Sequence, residues 1–200
     1  MAQPTSLIRL MEALKTLPGV GTVTAERLAY HLLRAPATEV ESLAQALRDL
    51  LEQVTNCSEC HTISDTNPCS ICADESRDRR RILVVEKLRD VTAFEEAGWQ
   101  GLYHVLLGHI NPLEGVDAAD LTIDELVERV REKDVEELIL GTNPDFEGDA
   151  TALHLHRRLA DLDVSVTRIA RGVASGSTLE YCNAAMLSDA ISGRAQMDSA

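Results

Sequence analysis

The chain has 200 residues, 44% of them hydrophobic and only 3% aromatic, enough for one ordinary core built mainly of Leu, Val, Ile and Ala. Its formal net charge of −14 is uneven, with −1 in residues 1–56, −1 in residues 57–81 and −12 in residues 82–200. That excludes a single basic slab for nucleic acid and makes basic proteins or divalent metals natural company for the acidic part.

Leu7, Leu10, Met11, Leu14 and Leu17 recur at helical spacing and predict an amphipathic helix over 6–17. "LPGVG" ends it at Pro18, Gly19 and Gly21, and Thr22 or Thr24 is placed to cap a second helix carrying Ala25, Leu28, Ala29, Leu32 and Leu33. A Gly-x-Gly turn before a helix lets backbone N–H groups face outward, which makes a sequence-independent phosphate site assisted by the helix dipole. Arg27 stands one turn or two into that helix, within reach of a neighbouring phosphate. A plain connection with a glycine C-cap is the bland alternative. A third helix over 39–54 places Val40, Leu43, Ala44, Leu47, Leu50 and Leu51 on one side.

"NCSECHTISDTNPCSIC" follows, with Cys57, Cys60, Cys69 and Cys72 in two C-x2-C pairs. Each pair can place two thiolates of one tight turn on a single ion, and two pairs close a tetrahedral shell, so the spacing predicts a structural zinc without an open position. His61 is an unneeded fifth candidate ligand, and redox-active or unliganded thiols are the alternative. No run approaches the roughly 18 apolar residues of a spanning helix, and MAQPTSLIRL lacks the features of a secretion signal. A reducing cytoplasm is therefore expected, where clustered cysteines bind metal more often than they pair.

After a charged hinge, "ADESRDRRR", the texture changes. "ILVV", "YHVLLG", "ELILG" and "VSVTRIA" read as strands, alternating with helical "RDVTAFEEAG", "TIDELVERVREK" and "EGDATALHLHRRLADL". This alternation predicts a largely parallel sheet covered on both faces. "STLEYCNAAMLSDAISG" reads as one last helix, with Cys182 packed between Leu179 and Met186. Glu86 ends "ILVVE", with Asp90 four residues on, and "GTNPDFEGD" offers Asp145, Glu147 and Asp149 after a later strand. Both groups fall at C-terminal strand ends, where open α/β sheets place their sites. Such carboxylates can hold Mg²⁺ for phosphodiester chemistry, or form a solvated acidic edge that docks a basic partner.

Taken in order, the glycine hairpin, the C-x2-C-x8-C-x2-C segment, "ILVVE", "TNPDFEGDAT" and "RIARGVASGSTLEY" resemble the RecR family of bacterial recombination mediators, over about residues 7–194. The resemblance implies a mixed α/β chain in four parts. These are a helix-hairpin-helix DNA-binding region over 1–55, a four-cysteine zinc finger over 56–78, a Toprim-like parallel-sheet domain over 79–172 and a C-terminal oligomer-packing segment over 173–200. It also implies a non-catalytic clamp subunit, a homotetrameric ring around DNA, acting with RecO and RecF in repair. By position it assigns Cys57, Cys60, Cys69 and Cys72 to zinc, Gly19, Gly21 and Arg27 to DNA, and Glu86, Asp90 and Glu147 to an acidic dock for RecO.

Two departures from the family pattern, and one from the wider Toprim pattern, carry physical weight. Where "GVGPKSAQR" is usual, this chain reads "GVGTVTAER". Val23 thus replaces a DNA-facing lysine and Glu26 sets a negative charge beside Arg27, which weakens binding and flattens its salt dependence. "GVASGSTLEYCNAAML" lacks the proline and aspartate usual in the packing segment. Related topoisomerases and primases carry a strand-end Glu and the pair of "DPDREG". Here Asn143 replaces the first Asp, Asp145 keeps the second and Glu147 follows. An amide supplies no charge to Mg²⁺, and Tyr30, Tyr103 and Tyr181 lie on helices or inside a strand candidate rather than at a nucleophile's position. Mg²⁺ at the acidic edge is thus left open but not predicted. The two alternatives are a Mg²⁺-dependent Toprim nuclease or topoisomerase-like enzyme, and a protein adaptor with little DNA binding.

Overall fold

A computed structural model describes residues 3–195. The chain forms two units, Met1–Val54 and Thr55–Ala200. The first holds three helices, α1 (Thr5–Lys15), α2 (Thr22–Arg34) and α3 (Ala37–Gln53). α1 packs on α2 through Leu7 and two small residues one turn apart, Ala25 and Ala29, all buried. In the intervening turn Gly19 has φ +80°, a left-handed conformation that glycine adopts without the penalty a Cβ brings.

Gly21, not a threonine, is the N-cap of α2. Its carbonyl accepts the Ala25 N–H at 2.9 Å, so Thr22 already lies inside the helix and neither threonine caps it. α3 buries none of its residues within this unit. Leu43, Leu47, Leu50 and Leu51 are all exposed, Leu51 by 84%.

The second unit begins with an antiparallel pair, β1 (Thr55–Asn56) and β2 (Ile63–Ser64), which closes the chain around the first two cysteines, and with a short helix, α4 (Ser70–Ala73). Then come β3 (Asp78–Val85), α5 (Leu88–Glu96), β4 (Gly101–Val105), α6 (Ile123–Glu132), β5 (Glu137–Leu140), α7 (Phe146–Arg158) and β6 (Ser165–Arg168). The four long strands form one parallel sheet in the order β4-β3-β5-β6. Alternate residues of β3 feed two cores. Ile82 and Val84 face Leu126, Val130 and Leu155 of α6 and α7, whereas Leu83 and Val85 face Val91 and Phe94 of α5.

The outer edge of β4 is sealed by groups from elsewhere in the unit. The Val105 N–H donates to the Cys60 carbonyl at 2.9 Å. Arg129 Nη1 donates to the Tyr103 carbonyl at 2.7 Å, and Thr122 Oγ1 donates to the Val105 carbonyl at 2.7 Å.

The expected last helix is shorter than the pattern suggests. A single turn at Leu179–Tyr181 is followed by α8 (Ala184–Ser192). Asn183 opens α8 by accepting the Met186 N–H at 2.9 Å, an N-cap that interrupts the run. Cys182 therefore lies outside any helix, half-buried rather than packed in a core. Residues 196–200 of the expected packing segment lie outside the described residues. Among the described residues no helix is long and apolar enough to cross a membrane.

Candidate functional site

The four cysteines come together as the spacing requires. Cys57, Cys60, Cys69 and Cys72 are all buried, and their sulfurs lie within 4.8 Å of one another. Cys60 Sγ and Cys69 Sγ are 3.6 Å apart, close to the roughly 3.8 Å edge of a tetrahedron with zinc–sulfur bonds of about 2.3 Å. Backbone N–H groups of Glu59 and Cys69 point at Cys57 Sγ at 3.4 and 3.3 Å, and that of Cys72 at Cys69 Sγ at 3.4 Å.

Burial pushes the Cys57 thiol up, but the N–H groups of Cys69, Cys60 and Glu59 outweigh it and bring it to about 7. Burial pushes Cys69 up to about 11. Cys72 is raised further, first by its hydrogen bond with Cys60 and then by burial. A dication must offset such unwilling ionisation, and zinc does so while releasing the thiol protons. Through the Cys60 carbonyl and the bond from Arg79 Nη1 to the Cys72 carbonyl at 3.0 Å, the cysteine segment is anchored on the sheet.

The hairpin residues lie in the first unit. With Gly21 as N-cap and no side-chain cap, the N–H groups of Thr22, Val23 and Thr24 have no acceptor among the described residues. Gly19 and Gly21 have open space where a Cβ would stand. Arg27 is exposed, and so are Val23 (81%) and Glu26. The turn thus presents free donors, one cation and one opposing carboxylate on a single helix start.

At the C-terminal end of the sheet the expectation for Glu86 needs correcting. It follows β3, but its side chain is 0% exposed, so it is not part of a docking surface. Glu86 Oε1 accepts the Asn143 backbone N–H at 2.8 Å, and Oε2 accepts Asn143 Nδ2 at 2.7 Å and His109 Nδ1 at 3.2 Å. Asn143 thus does more than remove a ligand charge. Its amide donates to the carboxylate that would otherwise seek a cation. Gly148 permits the close approach, since a Cβ there would stand 2.1 Å from the Asn143 carbonyl oxygen and 2.9 Å from Glu86 Oε1.

The other acids are engaged locally. Asp145 caps α7 by accepting the Gly148 N–H at 2.8 Å. Asp149 pairs with Arg171 and with Arg168 at 2.6 Å, and these guanidinium groups, Arg171 first, hold its carboxyl below the usual range. Asp90 Oδ2 accepts the Lys87 N–H at 2.8 Å, and Asp90 and Glu147 are half-buried. Among the described residues only the four cysteines form a group of three or more metal-ligand side chains. Tyr103 is buried, donating its hydroxyl to Glu95 at 2.7 Å. Nothing in the sequence marks His109, Arg168 or Arg171. A basic residue in a loop or at a strand end carries no periodic signal that would mark it.

The family model for the RecR helix-hairpin-helix matches residues 7–51, that for the RecR four-cysteine zinc finger domain matches 54–74, and that for the Toprim domain matches 80–170. The chain is 51% identical over 195 residues to recombination protein RecR of Roseiflexus sp. (strain RS-1), covering 97% of this chain and 95% of the relative. It is 49% identical over 193 residues to that of Desulforudis audaxviator, covering 96% and 98%. With the protein of Rhodopirellula baltica it shares 47% over 189 residues, covering 94% and 95%. The buried cysteine quartet is a structural zinc site, and the chain belongs to the RecR family of recombination proteins.

Proposed function

We propose that this chain is a non-catalytic DNA clamp subunit that works with RecO and RecF in recombinational repair in the cytoplasm. The observation that carries the reading is the α2 start, where three free N–H groups stand beside Arg27 in a turn opened by Gly19 and Gly21. Donors fixed in the backbone read phosphates without reading bases, which suits a sequence-independent grip. The functional parts would follow the boundaries 1–55, 56–78, 79–172 and 173–200. Of the expected acids Asp90 and Glu147 are left to face a basic partner such as RecO, and Phe146, the chain neighbour of Glu147, exposes its ring.

A homotetrameric ring is supported by apolar surface that each chain leaves uncovered. It includes Leu43, Leu47, Leu50 and Leu51 on α3, and Leu179, Tyr181 and Ile191 near the C-terminal end. Few contacts per subunit then suffice, because assembly multiplies them through effective concentration. The absence of chemistry is supported by Glu86, whose two oxygens are already occupied by three donors.

The test is solution mass by sedimentation with and without duplex DNA, together with DNA affinity of Arg27→Ala. A mass that stays monomeric in both states sinks the ring. Affinity unchanged in Arg27→Ala, measured with RecO present, sinks the hairpin contact. It would favour the second reading, a protein adaptor with little DNA binding, which the exposed Val23 and Glu26 support. Plasmid nicking with Mg²⁺ that disappears in Glu86→Gln would make the chain an enzyme.

A further inference from the structure

At the other end of the sheet from Glu86, where β3 and β5 begin, lies a cavity of about 310 Å³. Arg79, Arg80, Arg129 and Lys133 line it against only two carboxylates, Glu59 and Asp134. Such a cationic concavity is unexpected in a part of the chain so rich in acid.

Arg129 is the informative member. It is 8% exposed, on α6 among the core residues Leu126, Val127 and Val130. Its Nη1 is used by the Tyr103 carbonyl, but its buried Nη2 has no hydrogen-bond acceptor among the described residues. Glu59 Oε2 lies 3.9 Å from it, and the same oxygen lies 3.7 Å from Arg79 Nη2. Two guanidinium groups therefore converge on one carboxylate oxygen without either closing a hydrogen bond. A buried donor left unmade costs stability, and the fork geometry of arginine matches phosphate oxygens. Glu59 acts as a loose placeholder, and a better acceptor would displace it.

We propose that this cavity binds a phosphate monoester, carried by a mononucleotide or by the 5′-terminal phosphate of a DNA strand. A monoester has about 1.5 to 2 negative charges at neutral pH, and the lining offers it more cations than carboxylates even though Arg80 also pairs with Glu136 at 2.7 Å. It also enters end-on, whereas an internal diester carries a sugar on each side and is held away from a recessed guanidinium. The strand-end source rests on the DNA-binding reading above, and the mononucleotide source does not.

The test uses the zinc-loaded full chain in calorimetric titrations with inorganic phosphate and with dAMP. Lys133→Gln and Arg80→Gln, both on the exposed rim, should each weaken binding up to about tenfold, and Glu59→Gln should tighten it severalfold by removing the competing carboxylate. Trp99 fluorescence checks that each variant is folded. In parallel, 5′-phosphorylated and 5′-hydroxyl single strands are compared. A preference for the phosphorylated strand that Lys133→Gln abolishes and Arg27→Ala leaves intact supports the strand end as the source. Equal binding of the two strands, with dAMP still bound, supports the mononucleotide. If the wild type binds neither strand, the DNA reading has failed and the dAMP titration alone decides. No saturable binding of phosphate or dAMP at millimolar concentration overturns the proposal. So does binding that Lys133→Gln fails to weaken and Glu59→Gln fails to tighten.

Discussion

Replacing Glu86 separates a structural carboxylate from a metal-binding one. In Glu86→Ala three donors lose their acceptor at a fully buried position, the Asn143 N–H, Asn143 Nδ2 and His109 Nδ1. Hydrogen bonds to a charged group contribute roughly 1.5–3 kcal/mol each, but these share one carboxylate and are not additive, so the expected loss is about 3–5 kcal/mol. Glu86→Gln keeps one acceptor oxygen for the Asn143 N–H. Its new amide nitrogen faces Asn143 Nδ2, and a turn of the Asn143 amide would restore one bond without charge assistance. The expected loss is about 1–2 kcal/mol. The single tryptophan, Trp99, packs on the Leu83–Val85 face of the sheet, so its fluorescence in a urea titration reports this unit alone. Millimolar Mg²⁺ should leave the wild-type midpoint unmoved. If Mg²⁺ instead raises that midpoint and Glu86→Gln abolishes the rise, the carboxylate is a cation ligand and the reasoning fails.

Removing zinc with a chelator, or substituting Cys57→Ser, should destabilise the second unit by several kcal/mol, since metal binding and local folding are one process there; zinc content and the Trp99 urea midpoint measure it together. Gly19→Ala has room for its methyl but must hold φ +80°, so it should cost about 1 kcal/mol in the first unit, seen in helical circular dichroism on heating, and weaken DNA binding. His104 is buried and held down to about 3, first by burial, despite the hydrogen bond to the Thr122 carbonyl that favours its charged form. It stays neutral in the folded chain while the unfolded chain takes up a proton below about 6.5, so its contribution is complete above that pH and is lost as pH falls towards the folded value. Between pH 6.5 and about 5.5 the wild type should lose about 1 kcal/mol more than His104→Gln, and equal slopes would refute the assignment.

Much of this chain is legible because its signals are local. Two C-x2-C pairs define a metal site whatever surrounds them, and the alternation in "ILVV" places Ile82 and Val84 on one face and Leu83 and Val85 on the other. What escapes the sequence depends on long-range placement. Glu86 reads as a surface acid at a strand end, yet Asn143, 57 residues later, folds over it and buries it. Arg129 reads as one more charge in "VERVREK", and only its position on the edge of the Ile123–Leu126–Val130 stripe hints that it points inward. Cys182 shows the reverse failure, where an apolar helical pattern outran an asparagine cap that stops it.

Strand β4 is an outer strand of its sheet, and outer strands are where proteins add foreign strands and aggregate. Here part of that edge is covered by Cys60, a residue whose own position depends on a metal. Zinc therefore guards against misassociation as well as holding a finger together. A chain made without enough zinc would lose the Cys60 part of that cover, with Arg129 and Thr122 still on the rest, and its failure would show first as insoluble protein rather than as a repair defect. Conversely, once the metal is in, copies of this chain that met through the sheet would have to use something other than the covered part of the β4 edge.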